Sequence, residues 1–302
     1  MINHILVPLD GSPLAESSLP MAAFLAQVFA ARVTLVHIIE KNPPEEIHGQ
    51  PHLKNADEAF EYLDTISRRF FSDKTIIESH VHTEETTEIS AGISDHVGEL
   101  HSDLIVMCTH GRGGLRDLVF GNNAQQVISM GKTPVVVIPQ PEDIDNDVVI
   151  RRILVPLDGQ PEHEQGLSLA AEFALACKAS LHLLTIVPTF DTLPGKWSST
   201  GRLLPGTTDR MLDMSVSQAI EYLDEHRSIL EKKGLAVTID VFRGHPAGMI
   251  NRAVETMGMN LVVIGTLGRG GTRAFWTGSE GSRICCQCRL PILLVPWQNV
   301  KS

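Results

Sequence analysis

At 302 residues, 43% apolar and 20% charged, the chain has room for two ordinary domains whose cores need neither disulfides nor metals. Its formal net charge of −11 argues against duplex DNA or RNA as a main partner, because binding a phosphate backbone takes a surplus of Lys and Arg on one face. It does not exclude a small phosphorylated ligand, since backbone N–H groups hold phosphate without net basic charge.

The chain opens with Met1-Ile2-Asn3-His4-Ile5-Leu6-Val7-Pro8, followed by Leu9-Asp10-Gly11. This opening run lacks a basic n-region and a cleavage site, so no signal peptide is expected. No uncharged apolar run reaches the roughly 18–20 residues that cross a bilayer. Strand patterns follow at 4–9, 32–39, 75–82, 103–108 and 134–139, with helical patterns at 13–30, 55–71, 87–101 and 122–131 between them. The strand runs are short, apolar and rich in Val and Ile, as in a parallel sheet covered on both faces. The acidic stretch 141–147 suits a solvated linker. The whole order then repeats. Strands are expected at 152–157, 180–187, 235–242, 260–265 and 291–296, and helices at 161–178, 211–233, 246–257 and 279–287.

The repeat is also literal. Arg152-Ile153-Leu154-Val155-Pro156-Leu157-Asp158-Gly159 restates residues 4–11, and Leu267-Gly268-Arg269-Gly270-Gly271 restates His110-Gly111-Arg112-Gly113-Gly114. Likewise, Asn260-Leu261-Val262-Val263-Ile264 restates Asp103-Leu104-Ile105-Val106-Met107, and residues 290–296 restate 133–139. The chain is therefore read as a duplication, with one domain over 1–141 and another over 150–302. Each is an α/β domain, doubly wound, with five parallel strands in the order 3-2-1-4-5 and helices on both faces. Ligands bind such sheets where the order reverses, at the carboxyl ends of strands 1 and 4.

Two segments of the second half meet at that point. One is Pro156-Leu157-Asp158-Gly159, whose carboxylate can accept hydrogen bonds from ribose hydroxyls or an adenine amino group. The other is Gly265-Thr266-Leu267-Gly268, then nine residues, then Gly278-Ser279 at a helix start. Glycines let backbone approach phosphate oxygens, and consecutive N–H groups with a helix N-terminus supply the positive end. Ser279 caps the helix or donates its hydroxyl. The first half departs from this. Cys108 stands where Gly265 stands, and Gly121-Asn122 replaces Gly278-Ser279; a side chain at 108 would crowd the phosphate or restrict the backbone, while Asn122 still suits a helix cap.

Gly-x-x-Gly-x9-Gly-Ser after strand 4, with Val-Pro-Leu-Asp at strand 1, resembles the universal stress protein family, and the repeat resembles its tandem members. The resemblance implies that Gly265, Gly268, Gly278 and Ser279 surround phosphate, with Arg269 beside them. It implies that Pro156, Leu157 and Asp158 border the nucleoside and that Ile186 faces the base. The ligand it implies is ATP, with or without Mg²⁺. Pro8, Asp10, Ile38, Gly111, Gly121 and Asn122 make up the weaker counterpart. It further assigns 134–139 and 291–296 to pairing between the halves, and leaves open whether two chains associate. An ATP-binding regulatory protein of the stress response is the expected function. A slow ATP hydrolase and a scaffold for another ligand or a protein are the rivals; no general base, arginine clamp or Mg²⁺ carboxylate pair accompanies the glycines.

Other features read more plainly. Arg112 and Arg269 either touch phosphate or are exposed. Gly131-Lys132-Thr133 lacks the earlier glycine of a P-loop and precedes a strand. Cys285-x-x-Cys288 has no second ligand pair, so buried thiols are expected over a metal or redox site. The five cysteines suit a reducing compartment, and the cytoplasm is the expected location. His80 and His82 share one strand face, expected as a solvated face before a metal pair. Residues 41–54 and 188–210 are long loops rich in Pro and Gly, the second placed to serve as a lid.

Overall fold

The computed structural model describes residues 1–43, 45–47, 50–108, 122–130, 132–139, 148–160, 164–193, 205–266 and 280–296. The first half runs β1 (His4–Pro8), α1 (Pro13–Glu16), α2 (Leu19–Phe29), β2 (Arg32–Glu40) and a small hairpin, β3 (Glu46–Ile47) with β4 (Gln50–Pro51). It continues through α3 (Ala56–Phe70), β5 (Ile77–Thr86), α4 (Ile89–Glu99), β6 (Leu104–Cys108), α5 (Asn122–Met130) and β7 (Val135–Ile138). The second half runs β8 (Arg152–Pro156), α6 (Gln165–Cys177), β9 (Ser180–Val187), a 3₁₀ turn (Phe190–Thr192) and α7 (Pro205–Glu231). After these come β10 (Val237–Arg243), α8 (Pro246–Met257), β11 (Leu261–Thr266), α9 (Glu280–Gln287) and β12 (Ile292–Pro296).

Ten strands form one sheet in the order β10-β9-β8-β11-β12-β7-β6-β1-β2-β5. Each half contributes five parallel strands in the expected 3-2-1-4-5 order. The halves join where β12 pairs antiparallel with β7, Leu293 opposite Val136. The interior strands are buried along nearly their whole length, as Ile5, Leu6, Val33, Leu104, Val106, Ile153, Leu181 and Val263 show. Alternate residues go to opposite faces. One face packs Ile5, Val33, Ile153 and Leu181 under α2, α3, α6 and α7 in a single core that crosses both halves. The other packs Leu6, Val36, Leu154 and Leu184 under α4, α5, α8 and α9. Phe29 and Phe173 meet edge to face at 5.1 Å, so α2 and α6 also touch across the join.

Three expectations need correction. The pattern at 13–30 breaks into two helices at Ser17 and Ser18. Their hydroxyls donate to the Leu14 and Ala15 carbonyls at 2.6 and 2.7 Å, bonds that compete with a straight helix. The loop at 41–54 contains the β3–β4 hairpin. The loop at 188–210 is shorter at both ends, since the 3₁₀ turn occupies 190–192 and α7 starts at Pro205, a residue tolerated in a first turn because no N–H is needed there. Residues 194–204 lie outside the described residues.

Candidate functional site

The sheet order reverses between β8 and β11 in the second half, and between β1 and β6 in the first. Asp158 follows β8 and is exposed; its Oδ1 accepts from the Gln160 amide at 3.0 Å. Gly159 has φ +76° and open space where a Cβ would stand, among the described residues. Pro156 ends β8, half-buried. Leu157 turns its side chain into the core, and its amide donates to the Leu184 carbonyl at 2.8 Å. Leu157 therefore borders the crevice through backbone. Ile186 sits near the end of β9, half-buried and opposite Phe242.

Gly265 is inside β11, not beyond it, paired with Val295. A Cβ on Gly166 of α6 would stand 3.1 Å from the Gly265 nitrogen. The pair of glycines thus lets helix and strand approach closely, a packing role that the motif alone did not reveal. Gly268, Arg269, Gly278 and Ser279 lie outside the described residues, as do Gly111, Arg112 and Gly121. Asn122 begins α5. Cys108 ends β6, buried.

The first half is built on the same plan but filled differently. Asp10 Oδ1 accepts from the Ser12 amide at 2.9 Å and the Ser12 hydroxyl at 2.6 Å. Pro8 ends β1, half-buried. Ile38 is buried against Gly92, whose Cβ would fall 2.9 Å from Ile38 Cδ1. Gly11, with φ +86°, is covered: Leu53 Cδ1 and Cγ both lie 3.1 Å from its Cβ position. His52 beside it is 4% exposed, with Nε2 3.8 Å from Glu40 Oε2. His37, 2% exposed, donates from Nδ1 to the Leu9 carbonyl at 2.8 Å. Burial holds its pKa below the usual 6.5, against the Leu9 bond and with help from His52. In the second half Thr185 bonds the equivalent Leu157 carbonyl at 3.0 Å.

Sequence reasoning missed one constellation present in both halves. Tyr62 donates to Glu16 Oε1 at 3.3 Å, and Tyr222 donates to Glu164 Oε1 at 2.8 Å. Burial raises both phenols, followed at Tyr62 by the Glu16 charge and at Tyr222 by the Glu164 bond; the strand-1 carboxylates Asp10 and Asp158 add to it. Glu16 itself is raised by burial. The signal was available: Glu61-Tyr62-Leu63-Asp64 returns unchanged as Glu221-Tyr222-Leu223-Asp224.

The remaining candidates resolve simply. Cys285 and Cys288 are buried, and burial pushes the Cys288 thiol up. His80 and His82 are half-buried beside His96 instead of forming a solvated face. No group of three metal-ligating side chains is arranged to hold an ion, and no helix is long and apolar enough to cross a membrane, among the described residues.

This is a tandem α/β protein with two doubly wound units joined edge to edge into one sheet. The family model described as "Universal stress protein family" matches residues 1–139 and again 150–296, and the chain belongs to that family. Among its relatives, universal stress protein Slr1230 of Synechocystis is 20% identical over 97% of this chain and 99% of its own length. Universal stress protein Rv2623 of Mycobacterium tuberculosis is 24% identical over 96% of this chain and 95% of its own. Universal stress protein Sll1654 of Synechocystis is 31% identical over 46% of this chain and 87% of its own. A universal stress protein from Archaeoglobus fulgidus has the same fold across 98% of this chain and 97% of its own, with a TM-score of 0.66 at 14% identity.

Proposed function

We propose that this chain binds an adenine nucleotide, ATP foremost, mainly in its second half, and serves as a regulatory nucleotide-binding protein of the stress response. The observation that carries the reading is the contrast at the two order reversals. Among the described residues nothing stands where a Gly159 Cβ would be, whereas Leu53 lies against Gly11 at the equivalent place. The glycine motif at 265–279 is intact and its first-half counterpart is not, which points the same way. Asp158 would take the nucleoside and the amides around Gly268, Gly278 and Ser279 the phosphates, with Arg269 beside them. The backbone near Ile186 would meet the base.

Calorimetry of the full chain with ATP tests this, with close to one nucleotide per chain expected. Charge-assisted hydrogen bonds contribute roughly 1.5–3 kcal/mol each, and about 1.4 kcal/mol is tenfold in affinity. Gly268→Val should therefore weaken binding by about tenfold or more, and Gly111→Val much less. Absence of binding, or equal losses at the two positions, overturns the reading.

A further inference from the structure

Four side chains of the first half meet on the face of β5 that packs against α4. His96, 5% exposed, carries the contact. Its Nδ1 is 3.0 Å from Glu99 Oε2 and its Nε2 is 3.0 Å from His82 Nδ1. The His80 ring centroid lies 4.5 Å from that of His96, and the His82 centroid 4.9 Å. A carboxylate only accepts, so His96 Nδ1 bears the hydrogen. Neutral His96 then accepts at Nε2 from the N–H of His82. The chain of donors runs one way, from His82 through His96 to Glu99.

The fold does not require these residues. Val36 pairs with His80 and Ile38 with His82, as Leu184 pairs with Asp240 and Ile186 with Phe242 in the second half. Counting back from the repeated Asp103 and Asn260, Ala253 stands at the place of His96. The second half therefore closes the same seam with Phe242 and the fully buried Ala253, in an apolar core. One copy of the duplication closes the seam with Phe242 and Ala253 and leaves Asp240, at the place of His80, exposed and 3.5 Å from His182; the other keeps three imidazoles and a carboxylate.

We propose that His80, His82, His96 and Glu99 form an acid-released clasp between edge strand β5 and helix α4, closed while it holds at most one extra proton and opened by the second. One proton on His96 fits, because Glu99 faces one ring nitrogen and His82 can turn its lone pair to the other. A second proton leaves two N–H groups facing each other between adjacent cations at a half-buried seam. Among the described residues, no other charge relieves it. On this face β2 presents the apolar Val36 and Ile38, and α5 carries no titratable residue. On β5, Glu78 lies toward Arg32 at 4.0 Å and Glu84 is exposed; on α4, Asp95 is exposed. Burial, then the neighbouring His96, keeps the His80 pKa below its usual 6.5 against the pull of Glu99, with His82 adding to the lowering. β5 is the edge strand, flanked in the sheet by β2, and α4 is also held through Ile93 and Val97 in the core it shares with β2 and α5, so release acts first on the β5 side of the helix, which leads directly into β6.

Amide hydrogen exchange on the intact chain, corrected for the intrinsic pH dependence of exchange, tests the clasp at about pH 7.5 and about pH 5.5. Protection over 77–99 should fall by about tenfold or more on acidification, with a much smaller change over 237–257. His82→Phe with His96→Ala, which installs the second half's residues, should reduce the fall over 77–99 to the size seen over 237–257. His82→Phe alone, read in parallel, should reduce it, so the result does not hang on one variant folding. Glu99→Gln should move release to higher pH. Unchanged protection over 77–99 in the native chain, or an undiminished fall in the substituted ones, overturns the proposal.

Discussion

Tyr62 and Tyr222 are the only tyrosines in the chain, and both reach back to a glutamate near the start of the half's first helical region. Each phenol bond ties α3 or α7 to the segment that follows the strand-1 aspartate. A hydrogen bond of this kind contributes about 0.5–1.5 kcal/mol net. Tyr222→Phe should therefore cost about 1 kcal/mol in urea unfolding, and Tyr62→Phe less, since its bond is longer at 3.3 Å against 2.8 Å. A larger loss at Tyr62 would contradict that ranking. These residues show where sequence reading stops. Strand-1 words such as Val-Pro-Leu-Asp were legible because the chemistry is local. The Tyr–Glu contact joins residues 46 apart in one half and 58 apart in the other, and periodicity records only that each faces inward. His96 escaped for the same reason: His80 and His82 advertise a shared strand face, but their partner comes from the next helix.

At the scale of elements, alternation of apolar runs with amphipathic ones was enough to place the strands and most helices, because each is buried on a face its period marks out. The segment after β2 was harder. Pro43 and Pro51 announce irregular backbone, yet nothing in their order says that the β3–β4 hairpin delivers His52 and Leu53 onto the end of β1. That cover distinguishes the two crevices among the described residues. Leu53 has its Cδ1 and Cγ 3.1 Å from the position of a Gly11 Cβ, filling space that no described residue fills beside Gly159. Truncation to Leu53→Gly should clear this space at little cost to the sheet, since the side chain packs at the edge of the core. If cover alone limits the first site, the ATP stoichiometry of Leu53→Gly should rise above that of the native chain in calorimetry. An unchanged stoichiometry would place the limit in the altered glycine loop, where Cys108 and Asn122 replace Gly265 and Ser279.

Across the whole molecule, the duplication was plain in the sequence, but the joining of the halves rests on β7 and β12, whose apolar runs say only that they are buried. Pairing them places both halves in one cooperative unit, with a common core on one face. Acid sensitivity should then be felt globally. His4, His37 and His182 are each buried and each held below the usual 6.5 chiefly by burial. The folded state binds fewer protons at these rings than the unfolded chain does. Their contribution is complete above pH 6.5 and is lost as pH falls from there through the lowered folded values. Glu16 acts with the opposite sign. Burial raises it from 4.5, so its contribution is present below that value and is lost as pH rises through the raised one. Acidification therefore gains a little from Glu16 only after the histidine loss has begun, and three rings outweigh one carboxyl. Thermal melts should show Tm level above about pH 6.5 and declining below it. A Tm that holds steady from neutral pH down to about 5 would mean that these rings take up protons without leaving their bonds to Thr34, Leu9 and Thr238.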